Sequence, residues 1–337
     1  MDLLLVLRGM LSLFVVSWHV TGYRAEFPPL VNIPGRVAVW IFFGISGYVI
    51  AHGFISKRYK YCVSDLKDFY INRFLRIYPL FFSLSLIGWI AQWVITGNNP
   101  LSLSDLPGQF FDLQFNQGDY PLDGVFWTLG IEIHFYLIAP LIALLFLSML
   151  PVSRILAITL GIVLYLAVTF LNYYLVKNQG WSYDGRNIVA SLPHFIVGML
   201  SCLVVFELKP NVSRLIFFTV SAFALLGYIN WIYHMQPGRF WSTQGILLVD
   251  LVIFTFVLAH ANLKAIESKT SAAYRVASYL GVLSYGIYAW HLVLMQNIPT
   301  LAHNVLAIMI LSIAAAHVTY RIIEAPALKL KRYHERR

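Results

Sequence analysis

Long apolar runs separated by short polar connections dominate the chain. A bilayer core of about 30 Å takes about 20 helical residues to cross. On that scale the runs predict ten spans, over residues 3–22, 37–55, 74–95, 125–150, 155–176, 188–206, 215–233, 246–261, 280–296 and 304–323. The sixth, eighth and ninth are short or carry internal polar groups. The first begins without a basic leader and has no small-residue cleavage site after it, which predicts a retained helix rather than a signal peptide. The expected fold class is all-α, a polytopic integral membrane protein of about ten transmembrane helices with both termini cytoplasmic.

Composition agrees. Of 337 residues, 59% are hydrophobic and 12% charged, against about 25% charged in soluble domains, and the mean hydropathy is +0.71. A cytosolic enzyme, a secreted disulfide scaffold and a nucleic-acid binder are excluded, despite a net charge of +9. The charge has a topological explanation in the positive-inside rule. Residues 56–76 hold Lys57, Arg58, Lys60, Lys67, Arg73 and Arg76, and the tail holds Lys329, Lys331, Arg332, Arg336 and Arg337. Residues 97–124 carry Asp105, Asp112, Asp119 and Asp123 and no basic residue, as suits an outer face. No linker or repeat breaks the chain, so the expected organisation is one membrane domain over 1–326 and a basic cytoplasmic tail over 327–337. The two cysteines, Cys62 and Cys202, offer neither a disulfide framework nor a metal site.

Ionisable groups inside spans are costly and mark candidate sites. Arg8 falls near the inner end of the first span and His19 near its outer end, about 16 Å further on. Glu132, His134, His194, Asp250 and His291 are expected in outer halves; His52, Arg73, Arg76, His317 and Arg321 near the inner boundary. The expectation is two polar layers, which a catalytic site, a transport pathway or ordinary interhelical ion pairs could all produce. GISGY at 44–48 is not a GxSxG elbow, so Ser46 and its glycines read as a close helix contact. Phosphate-binding GxxxxGK[ST], dinucleotide-binding GxGxxG and zinc-binding HExxH patterns are absent, and no metal is expected.

Several segments carry a resemblance. LRGMLSLFVVSWH at 7–19 has an Arg followed eleven residues later by a His; WIFFGISGYVI at 40–50, NRFLRIYP at 72–79, FWTLGIEIHFYLIAP at 126–140, LSYGIYAWH at 283–291 and RIIEAP at 321–326 follow in order. In this series the chain resembles the acyltransferase type 3 family of membrane O-acyltransferases. The resemblance implies transfer of an acyl group, usually acetyl, from cytoplasmic acyl-CoA to a hydroxyl of a cell-envelope polysaccharide or glycolipid, in a bacterial cytoplasmic membrane. Two positions depart from the family: Leu5 stands where many relatives have Asp, and Ile133 follows Glu132 where paired acids are common. Larger members append an extracytoplasmic SGNH-type domain; with a short basic tail after 323, the expectation here is direct transfer or hand-over to a partner.

The chemistry follows from residue types. Attack of a hydroxyl on a thioester needs a base, and imidazole titrates in the right range, which makes His19 the candidate; a buried structural histidine is the competing reading. Glu132 could orient that imidazole as a triad carboxylate does, or form a structural pair. Arg73 and Arg76, three apart on one helical face, could hold the phosphates of acetyl-CoA with Arg8, or act only as a topological anchor. Trp127, Tyr288 and His291 are candidates for the acceptor pocket, with Tyr136, Tyr285 and Trp290 less specific. Asp250 and His194 could act from behind the site. The rival functions are a transporter or flippase for a glycolipid or small anion, and a sensor or assembly subunit without activity.

Overall fold

The computed structural model describes residues 2–21, 34–97, 123–181, 187–206, 208–236, 240, 243–263, 271–298 and 300–332. The acidic residues Asp105, Asp112 and Asp119, and Arg336 and Arg337 of the tail, lie outside the described residues. The described residues form ten long helices: α1 (Leu3–Thr21), α2 (Gly35–Ile55), α3 (Val63–Thr96), α4 (Asp123–Met149), α5 (Arg154–Gln179), α6 (Ile188–Val205), α7 (Val212–Met235), α8 (Thr243–Asn262), α9 (Ala272–Asn297) and α10 (Val305–Thr319). A π-helical turn, Tyr320–Glu324, then leads into a last short helix, α11 (Ala325–Lys329).

All ten expected spans coincide with helices, the three weak ones included, because a backbone in hydrocarbon has no donor or acceptor outside its own helix. Among the described residues, nine helical stretches are long and apolar enough to cross a membrane; α3 starts eleven residues before the expected boundary, and its first turns carry Asp65, Lys67 and Asp68. Polar starts are capped. Ser153, Asn187, Asn211, Ser271 and Asn304 each accept a hydrogen bond from the backbone N–H three residues on, which satisfies a donor the helix itself cannot pair.

The basic connections meet at one end. Arg154 donates to the carbonyls of Leu203 and Val204, the Asn211 N–H to the side chain of Asn262, and the Asp2 carboxylate lies 3.7 Å from His260. Arg332, the last described residue, is bonded to Asn72 within the basic stretch 56–76.

The centre is built on two glycine contacts. α2 packs most extensively on α6, and α1 on α9. A Cβ at Gly198 of α6 would sit 1.9 Å from the carbonyl oxygen of Gly44, and one at Gly47 would sit 2.1 Å from that of Phe195. A Cβ at Gly281 of α9 would meet the Leu5 carbonyl oxygen at 1.9 Å. Small residues allow backbones this close, and where lipid is as apolar as the protein, such packing drives association. By contrast, α5 buries little more than Ala157, Gly161 and Asn172 and turns Leu166 and Phe170 outward, the profile of a lipid-facing helix. A buried polar network ties α5, α6 and α8 together: His194 Nδ1 lies 2.7 Å from Asp250 Oδ1, Tyr165 donates to Oδ2 at 2.8 Å, and Trp40 of α2 stacks on the His194 ring.

Two alanine variants with the same chemistry should have opposite effects. Gly198→Ala should destabilise by about 1–3 kcal/mol or more, since the new methyl group meets backbone. Gly227→Ala in α7, where a Cβ meets nothing within 4 Å, should stabilise by about 0.5–1 kcal/mol. Thermal unfolding in detergent compares them, and equal melting temperatures would mean that α2 and α6 are not in backbone contact.

Candidate active site

The arginines Arg8, Arg73 and Arg76 line a pocket with about 780 Å³ of empty space, its open mouth included, together with Ser46, Glu132, Tyr136, Tyr285 and Tyr288 among others; His52, His317 and Arg321, expected in the same inner layer, are not among its lining residues. Because α3 begins at Val63, its arginines reach well into the bundle: the Arg73 guanidinium lies over the rings of Phe69 and Tyr136, at 5.3 and 5.4 Å. Arg8 lies 5.9 Å from the centre of the Phe42 ring and within electrostatic reach of Arg76 and Glu132. The pocket has more donors than acceptors. Arg8 Nε and Arg73 Nε are buried without a hydrogen-bond partner, although each guanidinium carries five N–H groups. A buried cluster of unpaired guanidinium donors is a site for an anion with several oxygens.

Glu132 belongs to this pocket and not to the imidazole that the sequence assigned it. Its Oε1 accepts from Ser46 Oγ at 2.8 Å and from the Tyr136 hydroxyl, one helical turn on. α4 begins at Asp123 and runs 27 residues, which puts Glu132 about 14 Å along a helix of about 40 Å, in the half nearer Asp123. Ser46 likewise has a polar partner, while Gly44 and Gly47 make the close contact expected of all three.

His19 is paired instead with His291, Nδ1 to Nε2 at 2.9 Å, the rings stacked at 26°. Chemistry assigns the protons. His291 Nδ1 is 2.6 Å from the Tyr288 carbonyl oxygen, which can only accept, so Nδ1 carries the hydrogen and neutral His291 offers a lone pair at Nε2. His19 Nδ1 must then donate to it, and the backbone of Val15 also bonds the His19 ring. This leaves His19 Nε2 unprotonated and able to take a proton. His291, fully buried, thus fixes the tautomer of His19 as the carboxylate of a hydrolase triad fixes that of its histidine, without the carboxylate's charge. One helical turn away Tyr288 lines the pocket, its ring 5.8 Å from that of His291 and its hydroxyl 3.3 Å from Thr128 Oγ1. Tyr288 therefore joins the pocket that the arginines line to the imidazole pair.

Of the other candidates, Trp127 lies under the Arg36 guanidinium at 5.3 Å, outside the lining residues; Tyr285 lines the pocket and donates to the Ile77 carbonyl at 2.9 Å; Trp290 is tied to Thr319. His194 and Asp250 form their own network away from the pocket lining. Glu324 was not singled out as a site residue. The π turn buries it to 3% exposure, with both carboxylate oxygens unbonded and Arg76 and Arg8 in electrostatic reach. The signal was available, a carboxylate in the last apolar run, and such turns often mark functional sites. Among the described residues no group of three or more His, Cys, Asp or Glu could hold a metal ion.

Comparison with known proteins adds identity. A chain of Acidianus two-tailed virus named as a candidate acetyltransferase is 25% identical over 294 residues, covering 86% of this chain and 81% of its own length. The peptidoglycan O-acetyltransferase of Listeria monocytogenes is 26% identical over 364 residues, covering 96% of this chain and 55% of its own. A candidate O-acetyltransferase of Staphylococcus aureus is 22% identical over 88% of this chain and 53% of its own length. The chain spans little more than half the length of these two bacterial relatives. No solved structure matches it. The family described as an acyltransferase domain matches residues 4–321, across all ten long helices, and by that match the protein belongs to the acyltransferase type 3 family.

Proposed function

We propose that the protein transfers an acetyl group from acetyl-CoA to a hydroxyl of a cell-envelope polysaccharide or its lipid-linked precursor, with His19 as general base, in a bacterial cytoplasmic membrane. The observation that carries this reading is the continuity of the arginine pocket with an oriented imidazole pair. Arg8, Arg73 and Arg76 hold the phosphates of the donor, and Glu132 supplies their counter-charge. The pantetheine arm runs past Tyr288 toward His19. There the acceptor hydroxyl gives its proton to His19 Nε2 as its oxygen attacks the thioester carbon; the C–S bond breaks, and the thiolate leaves with that proton. The named activity of the Listeria relative, O-acetylation of peptidoglycan, supports the class of acceptor. α1 supports the geometry, since eleven residues make about three helical turns and bring Arg8 and His19 onto one face.

Three outcomes are expected. His19→Ala should keep the fold and lower CoA release by about 100- to 10,000-fold, the usual contribution of a general base; undiminished turnover in a folded variant would remove His19 from the mechanism. His291→Ala should also be slow, and the double variant no slower than His19→Ala alone, because groups that act as a unit are not additive; a multiplicative loss would show that the two imidazoles work separately. In oriented proteoliposomes, acetyl-CoA supplied at the end bearing Lys329 should label a glycan enclosed on the other side. Labelling only when both substrates share a side would overturn transfer across the membrane.

A further inference from the structure

The chain does not leave the protein where α11 ends. Arg332 is held at both backbone groups by the side chain of Asn72: its N–H donates to Oδ1 at 2.8 Å, and its carbonyl accepts from Nδ2 at 2.6 Å. Asn72 is 3% exposed and is braced by the Tyr59 hydroxyl, 3.1 Å from Nδ2. A two-point bond of this kind fixes the direction of a segment as well as its distance. Asn72 immediately precedes Arg73, so the clamp delivers Lys331, the neighbour of Arg332, to the basic end of the arginine pocket.

The electrostatics show where Lys331 has arrived. Burial first, and then Arg76, Arg73, Arg58 and Arg8, bring its ammonium down to about 8. The guanidiniums of Arg8, Arg73 and Arg76 outnumber the carboxylates of Glu132 and Glu324 in their reach, Lys331 adds a further positive charge, and the arrangement is sustained most simply by an anion that occupies it. A tail serving only as a topological anchor would gain nothing from being pinned among like charges.

We propose that Lys331, positioned by Asn72, is a donor-binding residue that takes the 3′-phosphate of a coenzyme A-type acyl donor while Arg73 and Arg76 take its pyrophosphate. The inference rests on the acyl-CoA reading of the pocket. Such a donor carries its charge in two separate places, a pyrophosphate in line with the pantetheine arm and a monoester phosphate on the ribose beyond it. The arginines line the pocket that receives the arm, and Lys331 comes from a segment at its basic end. A phosphate monoester has a charge of about −1.5 to −2 at pH 7, and a compact ammonium with three rotatable donors suits it without demanding a planar fork.

The test is equilibrium binding of CoA and of 3′-dephospho-CoA to the full chain in lipid nanodiscs. The wild type should prefer CoA by about tenfold, the size of one hydrogen bond to a charged group. Lys331→Ala should abolish the preference by weakening CoA alone, Lys331→Arg should retain it, and Asn72→Ala should reduce it with Lys331 still present. A preference that survives Lys331→Ala overturns the proposal and leaves the donor reading intact. Equal weakening of both ligands by Lys331→Ala also overturns it, since Lys331 would then add only to the general field. Retention of the full preference in Asn72→Ala would remove the positioning role. Failure of the wild type to bind either ligand would instead refute the acyl-CoA reading of the pocket.

Discussion

Charge held at membrane depth is the constraint around which this protein is arranged. An arginine at the centre of a spanning helix costs about 3 kcal/mol on insertion scales and less toward its ends, so three cost at most about 9 kcal/mol. That is comparable to the whole net stability of a typical domain, about 5–15 kcal/mol. Arg8, Arg73 and Arg76 are tolerated because aromatic faces cover Arg8 and Arg73 and because Glu132 and Glu324 lie in reach. The balance remains positive by one charge, and buried N–H groups are left over. A scaffold that bears this penalty without cancelling it is prepared for an anion that completes it.

The imidazole pair solves a different problem with cheaper materials. A carboxylate beside His19 would fix its tautomer, but would bring another charge into hydrocarbon. A second imidazole anchored on a backbone carbonyl fixes the same tautomer while remaining neutral. The helix supplies the anchor at no extra cost, since residues three apart lie on one face and the Tyr288 carbonyl therefore lies beneath the His291 ring. Tyr288 also lines the anion pocket, so one turn of α9 serves both halves of the site.

Much of this was legible in the sequence. Apolar run length found every long helix, because the bilayer leaves the backbone no alternative, and the spacing of Arg8 and His19 on one helix fixed their separation. What could not be read were relations between helices. Glu132 was assigned to His19 by depth, and an α3 that starts eleven residues earlier than its apolar run brings the RxxR pair into the pocket that Glu132 also lines. His291 entered as an acceptor contact because no local periodicity says which rings will face each other across α1 and α9. The π turn that buries Glu324 is a one-residue excess in a hydrogen-bond ladder, and side-chain pattern does not record it. Lys331 looked like ordinary cytoplasmic charge until Asn72, some 260 positions earlier in the chain, was seen to hold its neighbour.

α1 has a last consequence as a ruler. The distance between Arg8, at one end of the proposed donor path, and the ring of His19 at the other is set by the backbone hydrogen bonds of a single helix, not by loops or by adjustable packing. Drift elsewhere in the protein can reshape the walls of the passage but cannot change its gauge. Only an insertion or deletion within α1 can, and a single residue gained or lost would swing His19 by about 100° off the face it shares with Arg8. On the proposed mechanism the length of the donor arm and the length of this helix segment are matched quantities, and the donor's chemistry can vary only among molecules that keep the same reach.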